Sequence, residues 1–227
     1  MKIGKGAMTA WTLIIMAMVS YSQSEKTVTI ADLEWMADNL AVSVFRNGDA
    51  IPQAKTSSEW QKAGQSGEPA WCYYENDATN GRSYGKLYNW FAVNDPRNLA
   101  PKGWHVASFA EWKSLLAHYG SDDLAGGPLK ETGTKHWKSP NTGASDKDGF
   151  HALPGGYRDG TGLFTRLGYY ATFWTSTACS RNKAWGRHMS RGDAKVYQNC
   201  IGKEMGFSVR CVRDYAELGA TVPEGLQ

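Results

Sequence analysis

Histidine and cysteine are the side chains of this chain that most often act as catalysts or metal ligands. None of the histidines lies at the HExxH spacing of a zinc protease, and no GxSxG motif of a serine hydrolase occurs. Neither a CxxC pair nor a cysteine–histidine spacing typical of zinc is present. The sequence therefore contains no recognised catalytic or zinc-binding motif. The histidines are His105, His118, His136, His151 and His188.

The cysteines are Cys72, Cys179, Cys200 and Cys211. An even number of cysteines in an exported chain favours disulfide bonds. Cys179 and Cys200 flank one segment that carries tryptophan and charged residues, so we expect these two to pair. Cys72 is then expected to pair with Cys211. Free thiols are the alternative.

Calcium binds six to eight oxygen ligands, so a calcium site requires several oxygen-bearing residues. The calcium-lectin motif is represented only by Glu68, Pro69 and Ala70, and this alanine offers no ligand oxygen. The later Trp-Asn-Asp half of that motif is absent. The polar run at residues 141–148 could instead hold a structural calcium ion or form local Asx turns. No metal site is assigned, and no other cofactor is expected.

The N-terminus predicts export. Lys2 and Lys5 precede an apolar run from about residue 7 to residue 19, and small and polar residues follow it. This is the pattern of a secretory signal peptide, expected at residues 1–22 with cleavage after Ser22. The apolar run is shorter than the roughly 20 residues that cross a bilayer, although an uncleaved anchor remains the alternative. We therefore expect a periplasmic, cell-surface or secreted protein.

The rest of the chain is expected to form one domain at residues 23–214 and a flexible tail at residues 215–227. No cysteine precedes Cys72, so no lipoprotein attachment site is expected, and no second apolar run predicts membrane insertion. Without Lys2 and Lys5, the 25 basic residues fall to 23 against 22 acidic ones. This near-neutral balance argues against a nucleic-acid partner.

Aromatic residues and glycine dominate the composition, with ten Trp, eleven Tyr and 25 Gly. This composition suits short strands joined by many ordered loops, with most tryptophans packed in the core. Alternation of polar and apolar residues predicts strands at 27–30, 35–40, 71–74, 169–176, 184–190, 194–199 and 207–212. Helical spacing predicts helices at 57–63, 86–93 and 108–119, the last with a Ser108–Glu111 capping box. A polar loop is expected at 75–81 and a hairpin turn at Asp159-Gly160.

Several long motifs carry a resemblance to a known family. They are YGKLYNWFAVN at 84–94, PKGWHV at 101–106, LKETG at 129–133, ALPGGYR at 152–158 and GFSVRCVRD at 206–214. In this order they resemble the Fibrobacter succinogenes major paralogous domain of Bacteroidetes, from about residue 30 to residue 214. One departure is Ala100, where many relatives carry cysteine.

The resemblance implies an α+β, C-type-lectin-like fold, related to the formylglycine-generating group. Two main helices would pack on a small twisted antiparallel sheet with long loops. In some relatives the segment before the GFSVRC block is diversified, and here it corresponds to residues 186–202. Asn and Tyr do not crowd this segment, as they do in diversified relatives.

This late hairpin is the predicted binding surface, because aromatic residues and arginine are enriched in binding hot spots. The predicted ligand-binding residues are Trp185, Arg187, His188, Ser190, Arg191, Lys195, Tyr197 and Gln198. We expect a non-enzymatic domain that binds a protein or carbohydrate at the cell surface. One alternative is a formylglycine-generating type of enzyme, which would need Cys200 and Cys211 as thiols. Another is a structural component of a surface assembly.

Overall fold

The computed structural model describes residues 26–214, and within them the chain mixes short helices with small antiparallel sheets. The expected combination of helices and strands is confirmed. The predicted signal peptide at 1–22 and tail at 215–227 lie outside the described residues. The helices are α1 (Ser57–Ser66), α2 (Ala78–Tyr84), α3 (Trp90–Val93), α4 (Phe109–His118) and α5 (Asp122–Leu129).

Eleven short strands form four sheets in the described part of the chain. They are β1 (Thr27–Ile30), β2 (Leu33–Met36), β3 (Trp71–Cys72), β4 (Leu87–Tyr88), β5 (Trp104–Val106), β6 (Tyr157–Arg158), β7 (Phe164–Thr165), β8 (Tyr170–Ala178), β9 (Lys183–Ser190), β10 (Val196–Gly202) and β11 (Cys211–Arg213). Two of the sheets, β3–β4 and β6–β7, have two strands each.

The four-stranded sheet joins the two ends of the domain, with the strand order β1-β2-β11-β5. Val212 of β11 pairs with Trp35 of β2, and the neighbouring Arg213 forms an ion pair with Glu34, with Nε and Oε2 2.6 Å apart. The sheet therefore closes the fold by bringing residues from opposite ends of the chain together.

The three-stranded sheet carries the predicted binding hairpin, with β9 between β10 and β8. Its strands are the longest in the described chain, and the expected strands at 169–176, 184–190 and 194–199 are confirmed with small shifts of their ends. Helices α4 and α5 lie against this sheet, contacting β8 and β10 respectively. One face of the sheet is therefore covered by helices.

Tryptophan packing forms much of the core, as the composition predicts. Eight of the nine tryptophans in the described residues are buried, and Trp185 is the partly exposed one. Trp112 of α4 lies 5.4 Å from Trp35 and 5.4 Å from Phe173 of β8, measured between ring centroids. Such aromatic contacts contribute about 0.5–1.5 kcal/mol each beyond the burial of their area. They connect α4 to both larger sheets.

Buried cations hold the loops that connect these elements. The Arg210 guanidinium is 1% exposed and donates hydrogen bonds to Asn39 Oδ1 and to the carbonyls of Met36, Phe150 and His151. These bonds tie the end of β2 to the loop at residues 150–151. The arginine of the GFSVRC block therefore has a structural role.

Capping residues at the start of a helix predict α4 correctly. The capping box of α4 is confirmed, since Ser108 Oγ accepts from the Glu111 N–H and Glu111 Oε2 accepts from the Ser108 N–H. Its two reciprocal bonds satisfy backbone donors that a helix leaves unpaired at its first turn. Helix α1 and the β6–β7 hairpin also appear where the sequence predicts them.

Two predicted segments are wrong, and one helix has no prediction. The expected loop at 75–81 ends in helix α2, which Asp77 caps by accepting from the Thr79 N–H. The expected helix at 86–93 divides into strand β4 and the short α3, because Asn89 accepts from Ala92 N and caps a helix that starts at Trp90. Helix α5 is not predicted at all, since glycines and a proline obscure its period.

The expected final strand at 207–212 is also shorter than predicted. Only Cys211–Arg213 belongs to the four-stranded sheet, while Phe207 and Ser208 form isolated bridges with Tyr88 and Phe173. Successive residues of this segment therefore pair with different neighbouring strands instead of with one sheet.

Among the described residues, none of the helices has the length and apolar character that a bilayer crossing requires.

Candidate functional site

The strands β8, β9 and β10 divide the predicted ligand-binding residues between two faces of one sheet. Successive side chains of a strand point to opposite faces. His188 pairs across the sheet with Tyr197 and Thr172, whereas Arg187 pairs with Gln198 and Phe173. The predicted set therefore does not form one surface.

One face turns Trp185, Arg187 and Gln198 toward the helices. The Trp185 ring lies 5.0 Å from that of Phe109 in α4, and the Arg187 guanidinium lies 4.6 Å from the same ring. Arg187 Nη1 donates to Gln198 Oε1 at 3.2 Å and to Asp122 Oδ2 at 3.3 Å. Burial lowers the pKa of Arg187, which is 1% exposed, although Asp122 acts in the opposite direction. The structure gives Arg187 a packing position between sheet and helices.

The turn between β9 and β10 is fixed from below by Lys130. The Nζ of this fully buried lysine donates to the carbonyls of Ser190 (3.0 Å), Asp193 (2.7 Å) and Thr142 (2.8 Å). Because an ammonium group has three N–H donors, all of them are satisfied. The lysine of the LKETG block thus anchors the hairpin to the rest of the domain.

The remaining predicted residues of this turn make surface contacts. Arg191 lies over the Tyr169 ring, 4.9 Å from its centroid, and donates to the carbonyl of Ser139. Lys195 is exposed and forms an ion pair with Asp123 of α5 at 2.9 Å. Exposed ion pairs of this kind contribute little to stability. These side chains border the hairpin end and lie outside the cleft described next.

A small cleft opens on the other face of the sheet. Its volume is about 170 Å³. It is lined by Tyr157, Tyr170, Thr172, Gly186, Arg187, His188, Asn199, Ile201, Met205 and Phe207. Phe207 lies 4.4 Å from Trp174 and 5.9 Å from Tyr157, so the floor of the cleft is continuous with the core. Gly186 leaves this floor open, because a Cβ there would lie 3.2 Å from Phe207 Cε2.

Aromatic rings cross the sheet along one side of this cleft. Tyr170 of β8 lies 5.6 Å from His188 of β9, and His188 stacks on Tyr197 of β10 with a centroid distance of 4.7 Å. Arg166 lies over the first ring at 5.6 Å, and Asp193 accepts from the hydroxyl of the last at 3.0 Å. The row presents a mostly uncharged aromatic surface between two charged ends.

His188 is held as a neutral hydrogen-bond donor. Asn199 Nδ2 lies 2.9 Å from His188 Nδ1, and as this amide nitrogen is a donor, Nδ1 acts as the acceptor in this orientation. The ring proton then resides on Nε2, which has no hydrogen-bond partner among the described residues. Burial lowers the pKa of His188, and the negative charge of Asp193 opposes that shift. At neutral pH the imidazole therefore offers one N–H for an incoming acceptor.

Sequence reasoning found only part of this cleft. His188 belongs to the predicted set, and Tyr197 stacks on it at the edge. Asn199 and Ile201 lie inside the segment 186–202 but are not among the predicted ligand-binding residues. Tyr157 and Phe207 lie in the ALPGGYR and GFSVRCVRD blocks, and the resemblance of these blocks to the family is the signal that the sequence offers for them.

The cysteine prediction is half right. Cys179 and Cys200 form the expected disulfide, which ties the end of β8 to β10 beside the cleft. The expected bond between Cys72 and Cys211 is wrong, because the two buried thiols belong to different parts of the core. In the strand register, Cys72 lies opposite Leu87 of β4, and Cys211 lies opposite Val106 of β5. Burial raises the pKa of Cys72 to about 12, so its thiol is unreactive.

The polar run at 141–148 directs its side chains to separate partners. Asn141 donates to two loop carbonyls, Asp146 accepts from the His151 backbone N–H, and Asp148 accepts from the Tyr119 hydroxyl. In residues 26–214, no group of three or more His, Cys, Asp or Glu could hold a metal ion. The hypothesis of a structural calcium ion therefore gains no support from a ligand cluster.

Two further features lie outside the cleft. Glu131 Oε1 is 2.7 Å from His136 Nδ1 and 3.8 Å from His151 Nε2, and Asp146 Oδ2 is 2.8 Å from His151 Nδ1. A wider groove of about 1150 Å³ includes Asp38 and other residues of the segment 36–42 with those of α2. Neither contains a predicted ligand-binding residue.

Comparison with known proteins identifies the family of the chain. A sequence model of the Fibrobacter succinogenes major domain matches residues 28–213, which includes β1 to β11 almost completely. No curated protein matches the chain, and no solved structure matches it. The aromatic cleft thus lies wholly within the matched region. The chain belongs to the Fibrobacter succinogenes major domain family.

Proposed function

We propose that this chain is an exported, non-enzymatic ligand-binding domain with a C-type-lectin-like fold. It presents the cleft above β8–β10 to a carbohydrate or protein at the bacterial cell surface. The two ten-residue helices α1 and α4 and the small antiparallel sheets joined by long loops support this fold. The basic and apolar sequence of residues 1–22 supports export, and so does the Cys179–Cys200 disulfide, since such bonds persist in oxidising compartments.

The observation that carries the proposal is the aromatic cleft beside the hairpin. Binding sites combine apolar walls with a few polar groups that orient the ligand. Here the rings of Tyr157, Tyr170 and Phe207 supply the walls, and His188 and Asn199 supply the polar groups. Lys130 and the disulfide hold the surrounding hairpin, so little ordering is required on binding.

The enzyme alternative depends on two cysteines near the C-terminus. It needs Cys200 and Cys211 together as thiols, whereas Cys200 is bonded to Cys179. This bond favours the binding proposal over that alternative. A structural role in a surface assembly would instead appear as self-association in size-exclusion chromatography.

A matched pair of variants on one strand tests the proposal. Asn199→Tyr places a bulky ring in the cleft, while Gln198→Tyr adds the same ring to the adjacent, exposed position on the opposite face. Wild type and both variants are used to capture ligands from a cell-surface extract and on a glycan array. We expect Asn199→Tyr to reduce capture strongly and Gln198→Tyr to retain it, with similar unfolding temperatures for all three proteins.

Two results would contradict the proposal. If Asn199→Tyr captured the same ligands as wild type, the cleft would not be the binding site. If the wild type captured nothing from either source, a binding role would lose its support. Mass spectrometry of the protein recovered from cells tests export, since the mature chain should begin after Ser22.

A further inference from the structure

We propose that the cleft binds a single ring of a neutral sugar, with ring hydroxyls facing Tyr157, Tyr170, His188 and Asn199. This inference rests on the proposed function and names the ligand class for the same site. Three properties of the cleft lead to it: its size, its lack of charge and its inventory of polar atoms.

The size of the cleft restricts the ligand to one small ring. Its volume of about 170 Å³ is well below the range of about 300–1,000 Å³ that is usual for drug-sized ligands. Aromatic side chains contribute much of the lining, among them Tyr170 and Phe207. A ring face with polarised C–H bonds complements the negative face of an aromatic ring.

The lining carries no charge that would select an ionic ligand. Arg187 borders the cleft, but its guanidinium contacts Phe109 and Asp122 on the helix side of the sheet. The charges that end the aromatic row, Arg166 and Asp193, are engaged with Tyr170 and Tyr197 and do not line the cleft. A carboxylate or ammonium group in the cleft would lose water without gaining a counterion. The ligand is therefore neutral.

Besides Arg187 Nε, which belongs to a guanidinium on the helix side of the sheet, four polar atoms of the lining have no hydrogen-bond partner within residues 26–214. They are the hydroxyls of Tyr157 and Tyr170, the Nε2–H of His188 and the Oδ1 of Asn199. Together they include one fixed donor, one fixed acceptor and two groups that can do either. Sugar hydroxyls also donate and accept, so adjacent ring hydroxyls can satisfy all four atoms.

An apolar peptide side chain fits this set of atoms less well. It would fill the volume, but it would cover donors and acceptors without bonding to them. Each polar group that is buried without a partner lowers affinity by on the order of tenfold. A sugar ring can contact the apolar lining and also form hydrogen bonds with these polar groups. A sugar is therefore the favoured ligand.

The test is a titration of the full chain with sugar probes, in which the amide chemical shifts are measured by NMR. The neutral probes are the methyl glycosides of glucose, galactose and mannose, and glucuronate is the matched anionic probe. We expect at least one neutral probe to shift the amides of β8–β10 with a Kd of about 1–10 mM, the range for so small a ligand. Glucuronate should bind more weakly.

A second measurement uses variants that remove one hydroxyl and keep the ring. Tyr170→Phe should weaken the binding of that neutral probe by about twofold to tenfold, the effect of one hydrogen bond. Tyr169→Phe is the matched control, because Tyr169 is the adjacent residue and does not line the cleft. It should bind like wild type.

The outcomes separate this inference from the broader proposal. If no neutral sugar shifts the cleft residues, yet a protein is captured and Asn199→Tyr blocks it, the sugar inference is wrong and the binding function stands. If glucuronate binds as well as the neutral probes, or Tyr170→Phe binds like Tyr169→Phe, the sugar inference is also wrong. Loss of all capture would overturn both.

Discussion

The imidazole ring of His188 and the phenol ring of Tyr197 lie parallel on adjacent strands, with centroids 4.7 Å apart and 8° between their planes. They are direct cross-strand partners in the antiparallel pair β9–β10. Tyr197 is 38% exposed, and its stacked ring covers one face of the half-buried imidazole. His188 lines the cleft, so Tyr197 shields one face of a cleft residue from water.

Removing the Tyr197 ring should raise the pKa of His188. Burial is the main cause of the lowered pKa, and Tyr197→Ala exposes one face of the imidazole. The pKa should then move toward the ordinary value of about 6.5. An NMR titration of the imidazole protons measures it. Gln198→Ala, next in the strand and on the opposite face, should leave the value unchanged, and an equal pKa in all three proteins would refute the covering role.

Replacing Lys130 should loosen the hairpin. Lys130→Met leaves the carbonyls of Thr142, Ser190 and Asp193 without their shared donor. At about 1 kcal/mol for each unsatisfied group, the free energy of unfolding should fall by about 3 kcal/mol. Urea denaturation measures this loss, and hydrogen exchange should become faster at the β9–β10 turn. Lys138→Met is the control, because Lys138 is exposed. Equal stability of the Lys130→Met and Lys138→Met variants would argue against the anchoring role of Lys130.

Opening the disulfide should destabilise the domain. The bond between Cys179 and Cys200 closes a loop with a sequence separation of 21. Replacing both cysteines by serine should lower the free energy of unfolding by about 3 kcal/mol, since the unfolded chain regains its freedom. Urea denaturation of the variant and of wild type without reductant gives the difference. Addition of reductant should then destabilise wild type alone, and a matching effect on the variant would contradict this account.

Stability should depend on pH through His105. Its Nε2 lies 2.6 Å from Glu111 Oε1 and its Nδ1 lies 2.8 Å from Asp214 Oδ1. Burial lowers the pKa of His105, but these two carboxylates outweigh it, and the net pKa is raised. Burial alone would raise the pKa of Glu111, yet His105 and Ser108 lower it overall.

The signs of these two shifts define a pH window. A raised histidine pKa stabilises the fold below about pH 6.5, and this contribution is lost as pH rises through the folded-state pKa. A lowered glutamate pKa stabilises it above about pH 4.5 and is lost on acidification. The pair therefore contributes most between about pH 4.5 and 6.5. His105→Gln should lower the free energy of unfolding in this window and remove the decline that begins as pH rises above about 6.5. An unaltered curve would show that the pair is not coupled to folding.

Much of the fold follows from local sequence signals. The Ser108 and Glu111 pair marks the start of α4 because both partners of its capping box lie within one turn. Alternating residues mark β8, β9 and β10, since each strand has one face toward the core. Local sequence signals do not reveal α5. Its Gly126 reflects a tertiary contact, because backbone atoms of residues 194–195 leave no room for a Cβ at that position.

The family and the position of the β9–β10 hairpin were determined by the sequence alone, because long motifs in order identify the family and alternating residues mark the strands. Only the tertiary structure decided which side of the hairpin is available. Helices α4 and α5 cover the face of Arg187 and leave the face of His188 open, and strand alternation cannot tell these two faces apart. The separation of Cys72 from Cys211 within the core, and the meeting of Tyr157, His188 and Phe207 in one cleft, likewise depend on how distant segments pack.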